Sequence, residues 1–445
     1  MNPSYSVDID IPNLLRILRK IHKVPPLIRR EDRSSGAYDP KVASLGPYHH
    51  GKPELQPCEE AKRLALQIFL KGHNHGQEFF QEKVFEVISE ARDYYIEGST
   101  DEYTNEEFAE MMLLDSCFLI SLIYPSTVNL LEPQRHLDYV PLLLLLGSLA
   151  YSSILGHDVF LMENQIPFKI LMLLITLRYE NGRDSMSKFL QMTAWDKFDE
   201  QLHEDIKQRL EDSSPVHLLE ALRTILVWEK PQASPLQIAE RTARNYTDEK
   251  GNVDFLKHEK TFRSAKDLKA KGIFFRPSSS KSFKAINFNS FAFYGKLELP
   301  PTYVSGFSKA VFANLIAYEI CPNHSFDWSV ICYVNFMKKL IDSPADVKEL
   351  REKRILLTPL TDEDVVRLYK DLNTFEMVTA DNDIYEKQKI QQHYDSKTKT
   401  WMAQLFYIYF SSPWTVVAWI VGVFVLILTV LQTYFTINPK SDSGR

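Results

Sequence analysis

Residues 401–439 contain no Asp, Glu, Lys, Arg or His, and this uncharged run constrains the chain more than any other feature. Its inner part, residues 414–435, reads WTVVAWIVGVFVLILTVLQTYF. Twenty-two residues at about 1.5 Å per residue make a helix of roughly 33 Å, the thickness of a hydrocarbon core of about 30 Å. Thirteen of them are Val, Ile, Leu or Phe. At about −0.3 to −0.6 kcal/mol each near a helix centre, they favour insertion by roughly 4 to 8 kcal/mol. Gln432 and the threonines subtract from this, mostly near one end. A buried helix in a water-soluble protein rarely stays apolar on every face for over twenty residues. The expectation is one transmembrane helix.

The flanks agree. Trp414, Trp419 and Tyr434 sit where amphipathic rings favour the membrane interface. The preceding WMAQLFYIYFSSP, residues 401–413, is aromatic and uncharged and suits an interfacial segment broken at Pro413. Lys387, Lys389, Lys397 and Lys399 precede the helix, against Lys440 and Arg445 after it. The positive-inside bias therefore places the large domain in the cytoplasm. The ten residues after the helix, 436–445, form a short tail, so insertion is expected after synthesis, the tail-anchored pattern. A second uncharged stretch, VPLLLLLGSLAYSSILGH (140–157), is diluted by Gly147, Ser148, Ser152, Ser153 and Gly156. It reads as a buried core helix, with membrane contact as the alternative.

The remainder has the composition of a folded protein, 44% hydrophobic and 25% charged. A net charge of −6 gives no general attraction to phosphate backbones, so no nucleic acid is expected as a partner. Cys58, Cys117, Cys321 and Cys332 form no CxxC pair and read as buried thiols in a reduced compartment, with a Cys321–Cys332 bridge open to a secreted domain. The opening residues carry Asp8 and Asp10 and no long apolar run, so no signal peptide is expected; residues 1–20 read as an N-terminal extension.

Helical periodicity dominates residues 21–400. Ala61, Leu64, Ala65, Ile68 and Phe69 make one apolar stripe. Phe80, Val84, Val87, Ile88, Ala91 and Tyr95 make a second, and Met111, Leu114, Phe118 and Leu122 a third. Turn-rich residues 230–235 and 245–252 mark a subdomain boundary near 230–252. Beyond it the period becomes two: Ile286 and Phe288, then Leu297 and Leu299 after Gly295, predict a small β-hairpin. Helices resume at 309–321 and 329–341, and Thr361 with Asp364 predicts a capping box. The fold class is mainly α: a large helical soluble domain with a small β-hairpin and one C-terminal transmembrane helix.

Chemistry is harder to find. The sequence contains no GxGxxG, GxxxxGK[ST], HExxH or GxSxG. His49 and His50 lie in a GPYHHG turn with no matching Cys or Asp cluster, and are expected to be hydrogen-bonded locally rather than to bind metal. His73 and His75 fall in a Gly-bounded polar loop. Asp115, inside MMLLDSCFLISLI, must be paired, hydrogen-bonded or neutral, and is expected in a structural ion pair. Glu163, Asn164 and Gln165 form a similar polar patch that fixes helix packing. A dispersed active site around Asp115, Glu163 or the His49–His50 turn is the rival reading. No catalytic, cofactor-binding or metal residue is assigned, no cofactor is implied, and the chain is expected not to be an enzyme. Sequons occur at Asn245 and Asn323 and matter only for a lumenal domain.

The run IHKVPPLIRR, then YDPKVASLGPYHHGKPELQPCEEAKRLALQIFL (38–70), resembles the opening of the plant family called domain of unknown function 247. MMLLDSCFLISLI, DVFLMENQIPF, FANLIAYEIC and the terminal SPWTVVAWIVGVFVLILTVLQTYF resemble its later blocks, in order. Where the family pattern has an acidic residue and then Arg before the Asn, this chain has Lys309 and Ala313 before Asn314. The resemblance implies a plant membrane protein with one C-terminal span and a mostly helical body, and implies no activity, cofactor or catalytic residue. Some grass members are associated with pollen–stigma self-incompatibility, which implies protein recognition. The partners expected are the lipid bilayer, through 414–435, and an unidentified protein.

Overall fold

The computed structural model of the chain describes residues 19–31, 36–127, 137–195, 199–229, 263–292, 294–321, 327–375, 381–396 and 413–437. Most of the expected N-terminal extension (1–20), interfacial segment (401–413) and tail (436–445), and the whole of the boundary region 230–252, lie outside these residues, as do Asn245 and Asn323. A short helix, α1 (Pro26–Glu31), is followed by an irregular stretch and then α2 (Pro57–Leu70), α3 (Gln77–Glu86), α4 (Ile88–Asp93) and α5 (Asn105–Thr127). Next come α6 (Val140–Gly156), α7 (Phe168–Arg178), α8 (Gly182–Trp195), α9 (Glu200–Ser213) and α10 (Leu218–Leu226).

α5 is the hub of this half. α2, α3, α7 and α8 all pack on it, so Phe108, Met112, Phe118, Leu122 and Ile123 are buried on every side. α2 meets it through Ala61, Ala65, Ile68 and Phe69, and starts at Pro57, whose missing N–H costs nothing in a first turn. The second predicted stripe is split. Phe80, Val84, Ile88, Ala91 and Tyr95 are all buried, but the helix breaks at Val87, whose N–H reaches only three residues back to Val84 at 3.1 Å.

The second half opens with α11 (Ala265–Ala270) and a three-stranded sheet of β1 (Ile273–Pro277), β2 (Asn287–Ser290) and β3 (Gly295–Leu299). The predicted hairpin is β2 and β3, antiparallel with Phe288 opposite Leu297. β1 adds in parallel on the other side of β3, placing Phe275 against the same Leu297. Two short strands, β4 (Thr302–Tyr303) and later β5 (Leu356–Leu357), pair in parallel. Around them lie α12 (Ser308–Ile320), α13 (Ser329–Leu340), α14 (Pro344–Glu352), α15 (Asp362–Asp371) and α16 (Asp381–Asp395). Thr361 caps α15, its hydroxyl accepting from the Asp364 N–H at 3.2 Å. One hydrophobic core runs from Ile21 to Ile390, with contributors on both sides of residues 230–262.

The chain ends in α17 (Pro413–Ile437). Among the described residues, three helical stretches are long and apolar enough to cross a membrane, and burial separates them. The window in α5 is 83% buried, the stretch Val140–Phe160 is 17% buried, and Val417–Tyr434 in α17 is 0% buried. α5 is thus a core helix, whereas every described side chain of α17 is exposed. α6 corrects the expectation of a buried core helix. Leu142 and Ile154 are buried, but Leu144, Leu145 and Leu149 face outward. A lack of charge marks α6 as apolar without specifying what covers it. Gly147, at φ +72° and ψ 162°, breaks its helical path, in a region of backbone space open chiefly to glycine.

Candidate functional site

Residues 36–49, between α1 and α2, pass through the interior, where each backbone polar group needs a partner. Side chains from distant segments supply them. Asp158, in the 3-10 turn Asp158–Phe160, accepts from three successive N–H groups: Lys41 at 3.0 Å, Val42 at 2.8 Å and Ala43 at 2.9 Å. Asn164 accepts from the Leu45 N–H at 2.7 Å and donates to the Ala43 carbonyl at 2.9 Å. Asp115 accepts from the Gly46 N–H at 2.8 Å. Asn314 of α12 donates to the Ala37 carbonyl at 2.8 Å and accepts from the Met162 N–H at 2.8 Å. Gln165 donates to the Val159 and Leu161 carbonyls, so the clamp is itself braced. Gly46 sits at the tightest point, where a Cβ would lie 2.5 Å from the Gln165 carbonyl oxygen.

Two ionic clusters flank the clamp. Lys62 is fully buried, with Nζ 2.7 Å from Asp115 and 2.6 Å from Glu59. Burial disfavours both the ammonium and the Asp115 carboxylate. The two close carboxylates outweigh that for Lys62 and raise its pKa, and the Gly46 N–H supports the ionised Asp115. The geometry is that of a charged pair. In the second cluster, Glu163 accepts from the Val24 N–H at 2.7 Å and from Arg29 at 2.8 Å, while Arg29 also reaches Asp39 at 3.1 Å. His49 lies 3.8 Å from Glu163, yet neither of its ring nitrogens has a hydrogen-bond partner among the described residues. Burial, helped by the nearby Lys52 charge, lowers its pKa to about 4, so the ring is neutral at pH 7.

Asp115 and Glu163, predicted as buried polar groups, therefore converge with His49 on one loop. The local hydrogen bonding expected for His49 is not what the structure has, because the ring points into the interior. His50 is exposed and meets Tyr103 edge-on, with centroids 6.0 Å apart. His73 and His75 lie in a polar loop, with His75 stacked on Phe79 at 4.1 Å. None of the four cysteines is in a disulfide, so Cys321 and Cys332 are unbridged. At the departures from the family pattern, Lys309 pairs with Asp371 at 3.0 Å, and Ala313 is buried.

Sequence reasoning missed Lys62, although Glu59 three residues earlier and apolar neighbours on its face signal a buried pair. It also missed Arg223, which donates to Glu319 at 2.7 Å; Glu319 in turn accepts from the Val330 and Ile331 N–H groups that open α13. Asp327 beside them is lowered to about 2: burial opposes the shift, but Ser329, Arg223 and Lys284 overcome it. None of these charged residues lines the cavity of about 320 Å³ bounded by Tyr151, Leu155, Met192, Leu226, Phe307 and Phe312, whose lining has no charged side chain. Among the described residues, no group of three His, Cys, Asp or Glu is placed to hold a metal ion.

Residues 21–428 match the model of a family described as plant protein of unknown function, domain of unknown function 247. The chain is similar to UPF0481 protein At3g47200 of Arabidopsis thaliana, 26% identical over 92% of this chain and 85% of that protein. It is also similar to the putative UPF0481 protein At3g02645 of Arabidopsis thaliana, 21% identical over 97% of this chain and 92% of that one. No solved structure matches it. With the family model covering the clamp loop, the carboxylates that hold it and most of the terminal helix, the chain belongs to this plant family of unknown function.

Proposed function

We propose that the protein is a single-pass membrane protein that uses α17 as its anchor and presents the helical domain, on the cytoplasmic side, to a protein partner. The observation that carries the reading is α17 itself: 25 residues, uncharged, with the window Val417–Tyr434 0% buried. A helix of this length spans about 37 Å, and its apolar surface has no cover in water. A bilayer removes that surface from water and leaves no backbone group unpaired. The interaction role is supported by how the polar interior is used. Both oxygens of Asp115 and of Glu163 are engaged by ion pairs or backbone N–H groups, which suits a rigid scaffold better than proton transfer.

The test compares the full chain with one lacking residues 413–437, expressed in plant cells. The full chain is expected to resist alkaline carbonate extraction and the truncated chain to be released; release of both refutes the anchor. Proximity labelling from the domain is expected to mark proteins that α17 alone does not. Identical labelled sets refute the interaction role.

A further inference from the structure

We infer that the outward face of α6 rests on the bilayer surface, a second and non-spanning membrane contact; this rests on the anchoring proposed above. Residues 140–157 contain no Asp, Glu, Lys or Arg. Leu144 is 77% and Leu149 81% exposed, with Leu145 beside them and Leu137 just before the helix also exposed. The opposite face is the one buried in the domain, through Leu142 and Ile154. The side of α6 that ordinarily carries charge toward water thus carries leucine, a surface suited to the boundary between headgroups and acyl chains.

The helix lies on the membrane rather than across it. Gly147 interrupts its helical path, and a broken helix would leave backbone groups unpaired in hydrocarbon. Leu142 and Ile154, before and after the break, hold both ends to the core. The rim at the N-terminal end is polar, where Lys71 pairs with Asp138 at 2.7 Å, as suits the headgroup layer.

The bilayer is favoured as the occupant because the same chain brings it there. Sixteen residues, 397–412, separate the last described residue after α16 from α17. Extended, they reach at most about 55 Å. A compact body of this size is also roughly 55 Å across. The anchor therefore lets any face of the domain reach the lipid, held there at high effective concentration. The uncharged leucine face has the most to gain from that contact.

The test uses the full chain in phosphatidylcholine vesicles. An environment-sensitive fluorophore is attached at Leu149→Cys, or at Glu204→Cys, an exposed position of α9, as the control, in a Cys332→Ala background. Bromine near the top of the acyl chain is expected to quench the Leu149→Cys probe severalfold more than the control, and bromine at the chain terminus is expected to quench neither. Leu144→Cys should repeat the result if one label disturbs packing. Protein that floats with the vesicles while both probes respond alike to aqueous iodide overturns the contact and leaves the anchor standing. Protein that does not float with the vesicles overturns both. Shielding from iodide without lipid quenching means a second copy or the chain itself covers α6, and quenching by terminal bromine means α6 spans; either overturns the inference.

Discussion

Replacing Lys62 with Met removes the one cation that sits between Asp115 and Glu59, at 2.7 and 2.6 Å. Methionine nearly matches the aliphatic stem in volume, so the cost is electrostatic rather than a cavity. Glu59 is partly exposed and can be solvated, but Asp115 is 1% exposed and cannot. Breaking a buried pair from one side costs about 3–5 kcal/mol. Against a typical total of about 5–15 kcal/mol, that is enough to shift a urea midpoint visibly. The penalty should depend on pH in a definite direction. Without the ammonium, burial raises the Asp115 pKa further, so the folded variant binds a proton more readily than the unfolded chain. Its stability deficit then shrinks as pH falls, by about 1.4 kcal/mol per unit below that raised pKa until the unfolded chain also protonates. The double variant Lys62→Met/Asp115→Leu leaves the buried Gly46 N–H without its partner, about 1–3 kcal/mol, while the partly exposed Glu59 keeps Ser44 and solvent, and it should be more stable than the single one at pH 7. The assay is urea denaturation of the full chain in detergent micelles, followed by circular dichroism at pH 5, 6.5 and 8. A loss below about 1 kcal/mol, or one independent of pH, refutes the charged-pair account.

Two further substitutions probe the same loop. His49 titrates near 4 when folded and near 6.5 when unfolded, so its contribution is complete above pH 6.5 and is lost as pH falls toward 4. Going from pH 7 to 5 should cost about 2 kcal/mol, and His49→Gln should remove that slope; an unchanged slope in the variant's denaturation curves refutes it. Gly46→Ala combines φ +74° with a Cβ 2.5 Å from the Gln165 carbonyl and 2.9 Å from the Tyr95 hydroxyl. It should destabilise by about 3 kcal/mol or more, and a thermal midpoint within a degree of the parent would show that the loop can shift.

What could be read in the chain beforehand follows from the range of the forces involved. α17 was legible as a long apolar helix because that character depends on local composition alone. β2 and β3 were legible because a short hairpin keeps both partners close in sequence. β1 was not: Ile273, Phe274 and Phe275 lack polar alternation, and the parallel partner is 22 residues away from Ile273 at Gly295. The buried character of Asp115 and Glu163 was evident from their neighbours, but their partners were not. Gly46 is 69 residues from Asp115, and Val24 is 139 residues from Glu163. α6 failed for the opposite reason. Its composition was read correctly as apolar, while the face left open depends on where α2 and α5 stop.

The clamped loop also sets an order of events during synthesis. Residues 37–45 leave the ribosome well before the side chains that hold them, since Leu45 waits 119 residues for Asn164 and Ala37 waits 277 for Asn314. At about 5–20 residues per second, the first interval lasts roughly 6–24 s and the second roughly 14–55 s. Throughout it the backbone of this segment must be hydrated, or held by a chaperone, rather than packed. The amino-terminal third of the domain can therefore close only when most of the chain exists, and α17 emerges after every other described helix.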